Sequence, residues 1–165
     1  MQFASEYQEQ CCYRIDENLQ KINQCIDLLS ETEIWFSPNT KLNSVGNLIQ
    51  HLCGNITQYI LTTLGGAADN RNRDAEFEIS GNLTKAALIS NLQNVIKNST
   101  RIIRQTTAEE LFESKKVQVY ELTGIGIILH VTEHLSYHTG QIALLTKLIT
   151  QKDLGFYAGL DLNKK

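Results

Sequence analysis

Apolar residues recur every three or four positions along four long stretches of this chain, and a single proline, Pro38, is the strongest helix breaker anywhere in it. That period belongs to an α-helix with one buried face. A chain patterned this way four times is most simply satisfied by helices packed face to face, so the expected class is all-α and the expected architecture a four-helix bundle. With 165 residues, the whole of 1–165 fits one domain whose core needs no disulfide to hold it.

The first stretch runs from about Gln2 to Ser30, with Phe3, Tyr7, Cys11, Ile15, Leu19, Ile22, Ile26 and Leu29 on one stripe. Residues 31–43 carry Trp35, Phe36, Ser37 and Pro38; proline stops a helix and disfavours α geometry just before it, which predicts a loop with an aromatic anchor. Ser44 is placed to cap a second helix, whose stripe of Val45, Leu48, Ile49, Leu52, Ile56, Tyr59 and Thr63 ends at Gly65 and Gly66. A long polar loop from about Ala67 to Leu83 follows. Its charges, Arg71, Arg73, Asp74, Glu76 and Glu78, read as a solvated surface, although loops of this length are sometimes functional.

Thr84 caps a third predicted helix reaching about Gln105. Between Thr106 and Thr123, Glu109 to Leu111 suggest a short turn, while Lys116 to Tyr120 alternate as a strand does. A lone strand has no sheet to join, so an extended crossover or a small hairpin is expected. The fourth helix starts near Thr123 or Gly124 and runs to about Thr150, leaving a short, less periodic tail.

Three of the four histidines stand on that last helix within HVTEHLSYHTGQ, as His130, His134 and His138 at successive i, i+4 spacings. Side chains so spaced lie one turn apart on one face and can reach a single divalent ion. With roughly 100° of turn per residue, His138 points along the core direction set by Ile127, Val131, Leu135 and Ile142, His134 lies about 60° off it and His130 about 100° off. The pair best placed to share a metal is His134 with His138; His130 is a weaker third ligand or a supporting group. The fourth histidine, His51, flanks the stripe of the second helix with Asn47 and Asn55 one turn to either side. A metalloprotease is not indicated, because Leu135 follows His134 where the zincin motif has glutamate, and Glu133 points away.

The remaining composition excludes more than it suggests. A net charge of -3 and a pI near 5.8 give no electrostatic case for nucleic acid or an anionic membrane. The start MQFASEYQEQCCYR has neither the basic region nor the apolar run of a signal peptide, and no run of about 18 apolar residues occurs, so a cytoplasmic protein is expected. Cys11, Cys12, Cys25 and Cys53 fit no disulfide framework or zinc knuckle and read as reduced thiols, with Cys25 on an apolar stripe as a core residue.

The segment EHLSYHTGQI, Glu133 to Ile142, is similar to the final-helix signature of the DinB-like superfamily of metalloenzymes, which includes the bacillithiol S-transferases. HLCGNI, His51 to Ile56, is similar to that superfamily's second-helix histidine segment, and the RNRDAEF loop resembles a feature of one uncharacterised branch. The resemblance spans nearly the whole chain and implies a four-helix bundle, usually dimeric, in which His51, His134 and His138 match three metal ligands around an open coordination position. His130 has no counterpart in the signature, and the arginine-rich continuation frequent in the family is replaced here by Leu144, Leu145 and Lys147.

Three neutral imidazoles leave a divalent ion's charge largely uncompensated, so it can lower the pKa of a thiol or a water at the open position. The leading expectation is transfer of a low-molecular-weight thiol to an electrophilic small molecule, in a homodimer without nucleic acid or membrane partners. Metal-dependent hydrolysis and a non-catalytic metal-binding stress-response role are the alternatives. Gln141 and Tyr137 are the catalytic candidates, with Asn47 and Asn55 as further hydrogen-bonding groups. The metal itself, zinc, nickel, iron or manganese, is left open by three imidazoles.

Overall fold

A computed structural model describes residues 2–78 and 83–164. Four long helical rods carry the architecture: α1 (Gln2–Asp27), α2 (Val45–Ile56) prolonged by a π-helical segment (Thr57–Leu64), α4 (Lys85–Gln105) and α6 (Gly124–Thr150), with the short α3 (Ala75–Glu78) between the second and third. α1 packs on α4 and α6, and α2 packs on the same two, so the rods form a closed four-helix arrangement around one core. This is the all-α bundle that the periodicity implies.

The helix starts follow from side-chain capping, which satisfies backbone N–H groups that no preceding turn can reach. Ser44 accepts from the Asn47 N–H at 3.2 Å, and Thr84 and Thr123 do the same for Ala87 and Gly126. α1 ends at Asp27, three residues short of the expected boundary, and Trp35 closes a 3₁₀ turn (Glu33–Trp35) instead of lying in a featureless loop. Its indole N–H donates to the Leu83 carbonyl at 3.2 Å, anchoring the crossover as predicted.

The apolar stripes meet inside. Ile15, Ile22, Leu52, Ile56, Leu92, Ile127 and Val131 are all buried, each side chain of this kind contributing roughly 1.5–3 kcal/mol when removed from water. Cys25 is among them as a small core residue. Polar ties cross the core edges: Tyr7 OH donates to the Ile125 carbonyl at 2.7 Å, and Gln8 donates to the carbonyls of Ile103 and Thr106.

Between α4 and α6, a five-residue helix α5 (Ala108–Phe112), fixed by a Thr107–Glu110 capping box, leads into an antiparallel hairpin of β1 (Ser114–Val117) and β2 (Tyr120–Thr123). The alternation over Lys116 to Tyr120 therefore spans a turn, not one strand. Gln118 adopts φ 54° there, a left-handed conformation that no Asn-Gly pair announces in the sequence. Its amide reaches back to the π-helical segment, with Nε2 donating to Gln58 Oε1 at 2.8 Å and Oε1 accepting from Tyr59 OH at 3.2 Å. Among the described residues, no helix is long and apolar enough to cross a membrane.

Candidate metal centre

α2 and α6 lie side by side, and their facing histidines meet across the groove between them. His134 Nε2 lies 3.1 Å from His51 Nε2 and 3.2 Å from His138 Nε2. All three form a group whose ligand atoms fall within 4.8 Å of one another. His51 is buried and the other two are half-buried.

Protons alone do not satisfy this arrangement. Glu76 Oε2 lies 2.8 Å from His51 Nδ1, and a carboxylate accepts only, so Nδ1 carries a proton and, in the neutral ring that a metal ligand requires, Nε2 keeps the lone pair. His138 Nδ1 lies 2.6 Å from Gln141 Oε1, which likewise leaves His138 Nε2 as a lone pair. Two lone pairs thus face the one proton that His134 Nε2 can offer. His134 Nδ1 is buried with no partner among the described residues, so without an ion the ring proton is best placed on Nε2, where it can serve only one of the two facing lone pairs. Imidazole nitrogens bound to one ion at about 2.0–2.1 Å, at angles near 90–110°, stand about 2.9–3.4 Å apart, and both close nitrogen pairs fall in that interval. The donor set therefore fits a divalent metal.

The electrostatics agree. Burial, then the neighbouring His138, His51, His130 and Arg71, push the His134 pKa down to about 3, so it is a neutral base at physiological pH. Burial also lowers the pKa of His138, against an opposing hydrogen bond to Gln141. His130 is lowered mainly by burial. Its ring stacks on Tyr59 with centroids 4.3 Å apart and lies 5.5 Å from the His134 ring, while its Nε2 accepts from Asn55 Nδ2 at 3.4 Å. That lone pair is turned to Asn55, which accounts for its absence from the converging set.

His138 does not point along the core direction of α6. Thr139, not His138, takes the buried position on the core side of α6, and its hydroxyl donates to the Leu135 carbonyl at 2.8 Å. The histidines line the flank facing α2. The other candidates are placed as follows: Gln141 holds His138, Asn55 holds His130, and Asn47 Nδ2 donates to the Glu76 carbonyl at 3.1 Å. Tyr137 is 63% exposed, its ring edge-on to His138 at 5.0 Å.

The loop after α2 departs furthest from expectation. Arg71 and Glu76 are not solvated: their side chains are 4% and 9% exposed, paired through Arg71 Nε to Glu76 Oε1 at 2.7 Å and Nη2 to Oε2 at 3.0 Å. Arg71 Nη1 also donates to Gln58 Oε1 at 2.9 Å, and Phe77 packs on the His51 ring with centroids 4.9 Å apart. Burial raises the Glu76 pKa, but hydrogen bonds from His51 and Arg71 outweigh it and leave the carboxyl below its ordinary range. The sequence did hold one signal for this contact. Gly54 sits inside α2, where glycine costs about 1 kcal/mol relative to alanine, and a Cβ there would overlap Glu76 Oε1. The expectation of a solvated surface holds for Arg73, Asp74 and Glu78 and fails for Arg71 and Glu76, whose opposing charges neutralise each other against that notch.

A cavity of about 420 Å³ lies behind this pair, lined by Cys53, Gly54, Thr57, Arg71, Glu76 and Asn91 among others. Glu76 and Arg71 line it, and none of the three histidines does. Cys53 there is no nucleophile in this state, its thiol pushed up to about 12 by burial and by Glu76.

Comparison with solved structures places this geometry in a known fold. A DinB-like protein, YjoA, from Bacillus subtilis is similar with a TM-score of 0.67 at 16% identity, covering 87% of this chain and 94% of its own. A DinB-like protein from Bacillus cereus is similar with a TM-score of 0.68 at 11% identity, covering 87% of this chain and 90% of its own. Comparison with curated proteins gives no match. Residues 2–158 match the family described as "Protein of unknown function (DUF1572)", and with the helical bundle above, the chain belongs to that family and has the DinB-like fold.

Proposed function

We propose that this protein is a divalent-metal enzyme in which His51, His134 and His138 are the ligands, and that it transfers a low-molecular-weight thiol to an electrophilic small molecule. The observation that carries the metal reading is the convergence of three Nε2 atoms, with the opposite ring nitrogens of His51 and His138 already committed to Glu76 and Gln141. When bound, the ion supplies a Lewis-acidic position that lowers the pKa of an incoming thiol.

The chain's own residues do the rest. Glu76 and Gln141 orient two imidazoles, while Phe77 covers one face of His51. An imidazole that ligates a metal is neutral, so three such ligands would leave the charge of the ion without an offset, which favours an anionic nucleophile beside it. In the overall reaction the thiol proton passes to solvent, sulfur forms the new bond to the electrophilic carbon, and the leaving group departs with the bonding pair. Tyr137 is proposed at the substrate side, while Gln141, whose Oε1 is held by His138 Nδ1, acts by positioning that ligand. The exposed Leu129, Tyr137, Leu144 and Leu148 along α6 support a homodimer, and four cysteines free of disulfides support a cytoplasmic location.

Metal analysis of the purified protein after incubation with zinc, nickel, iron(II) or manganese tests the first half: the reading predicts one ion per chain, and none bound would end it. A panel of small thiols with a chromogenic electrophile tests the second half. Transfer gives a thiol adduct only when thiol is present; product formed equally without added thiol would replace transfer by hydrolysis.

A further inference from the structure

The triad is held from behind by a loop that lies outside the helical bundle. Glu76 accepts from His51 Nδ1 through Oε2 at 2.8 Å, and Arg71 grips the same carboxylate on both oxygens, at 2.7 and 3.0 Å. Asn47 Nδ2 fixes the Glu76 main chain through its carbonyl at 3.1 Å, so the residue is held at both ends. Gly54 on α2 supplies the space in which the carboxylate sits. A planar, doubly hydrogen-bonded guanidinium orients a carboxylate more strictly than a single contact does.

We propose that Glu76, clamped by Arg71 and seated at the Gly54 notch, is the positioning residue that fixes His51 as its Nδ1–H tautomer and turns its Nε2 lone pair toward His134 and His138. This rests on the metal reading of those histidines. A neutral imidazole freed of Glu76 can place its proton on Nε2, where it would block coordination and donate instead to His134. The loop of residues 67–78 is then part of the metal centre, and Glu76 acts on the ion only through His51. Carboxylates in this relation to a ligating histidine typically govern metal affinity by about 10–100-fold.

Two measurements test the assignment. The first is ¹⁵N NMR of the imidazoles in the metal-free protein, unmutated and as Glu76→Gln. The second is zinc affinity, by competition with a chromophoric chelator, for the unmutated protein, Glu76→Gln and Gly54→Ala. The assignment predicts that His51 carries its proton on Nδ1 in the unmutated protein and populates Nε2–H in Glu76→Gln. It also predicts that both variants bind zinc about 10–100-fold more weakly. Gly54→Ala separates positioning from general stability, because alanine strengthens a helix interior while its Cβ displaces the carboxylate.

A proton on His51 Nε2 in the unmutated, metal-free protein would overturn the proposal, as would unmutated zinc affinity in both variants. Should the unmutated protein bind no zinc, the metal reading fails, and the His51 tautomer still decides the positioning role by itself.

Discussion

The two halves of the candidate centre are built by different physics. On α6, His134 and His138 come together because one turn of helix separates them, and any chain that folds this helix brings them to one face. On the opposite side, His51 is set by Glu76 and Arg71, which come from the loop after α2, where among the described residues only Ala75–Glu78 are helical. The first half needs only a helix. The second needs an ion pair to be buried against α2, and its geometry exists only when the tertiary fold does.

The difference can be pressed first where the expected effect is largest. His134 is the nitrogen both other histidines approach, so His134→Ala should weaken zinc binding by at least about 100-fold while the far-ultraviolet circular dichroism stays helical. Retained affinity would show that the helix half is dispensable. Arg71→Met probes the loop half: leaving Glu76 buried without its guanidinium should lower unfolding free energy by about 3 kcal/mol, read from urea denaturation. A change within about 0.5 kcal/mol would mean the pair is solvated in solution after all.

A smaller effect follows from His134 being neutral in the fold. Its folded pKa, about 3, lies below the ordinary 6.5, so between those values the unfolded chain binds the additional proton. That contribution to stability is complete above about pH 6.5 and is lost as pH falls toward 3. Metal-free protein should therefore unfold at lower urea at pH 5 than at pH 7, and His134→Gln should flatten the slope. The opposite sign would contradict the burial of a neutral imidazole. The smallest effect belongs to the hairpin: Gln118→Ala removes contacts to Gln58 and Tyr59, costing about 0.5–1.5 kcal/mol with zinc affinity unchanged.

The same division explains what could be read in the sequence. Helical periodicity located α1, α2, α4 and α6, and the caps at Ser44 and Thr84 located two starts, because both are encoded within a few residues. The spacing of His134 and His138 is equally local. Widening of the second helix over Thr57–Leu64 was not legible, since no residue there demands it; the structure shows it seating Tyr59 on His130 and Gln58 on Arg71. The turn at Gln118 was missed because its left-handed residue is neither glycine nor asparagine. Arg71 and Glu76 looked solvated because a charge-rich segment carries no sign of its partner. Gly54, a costly residue inside a helix, marked the place where this pair had to come close, as Gly46 does for Trp35.

The central claim is that three imidazoles from α2 and α6 share one ion. X-ray absorption spectroscopy of the zinc-loaded protein tests it most directly. The account predicts one zinc per chain with three imidazole ligands at about 2.0–2.1 Å, falling to two in His51→Ala. A first shell with fewer than three imidazoles in the unmutated protein, or one unchanged by His51→Ala, would contradict it.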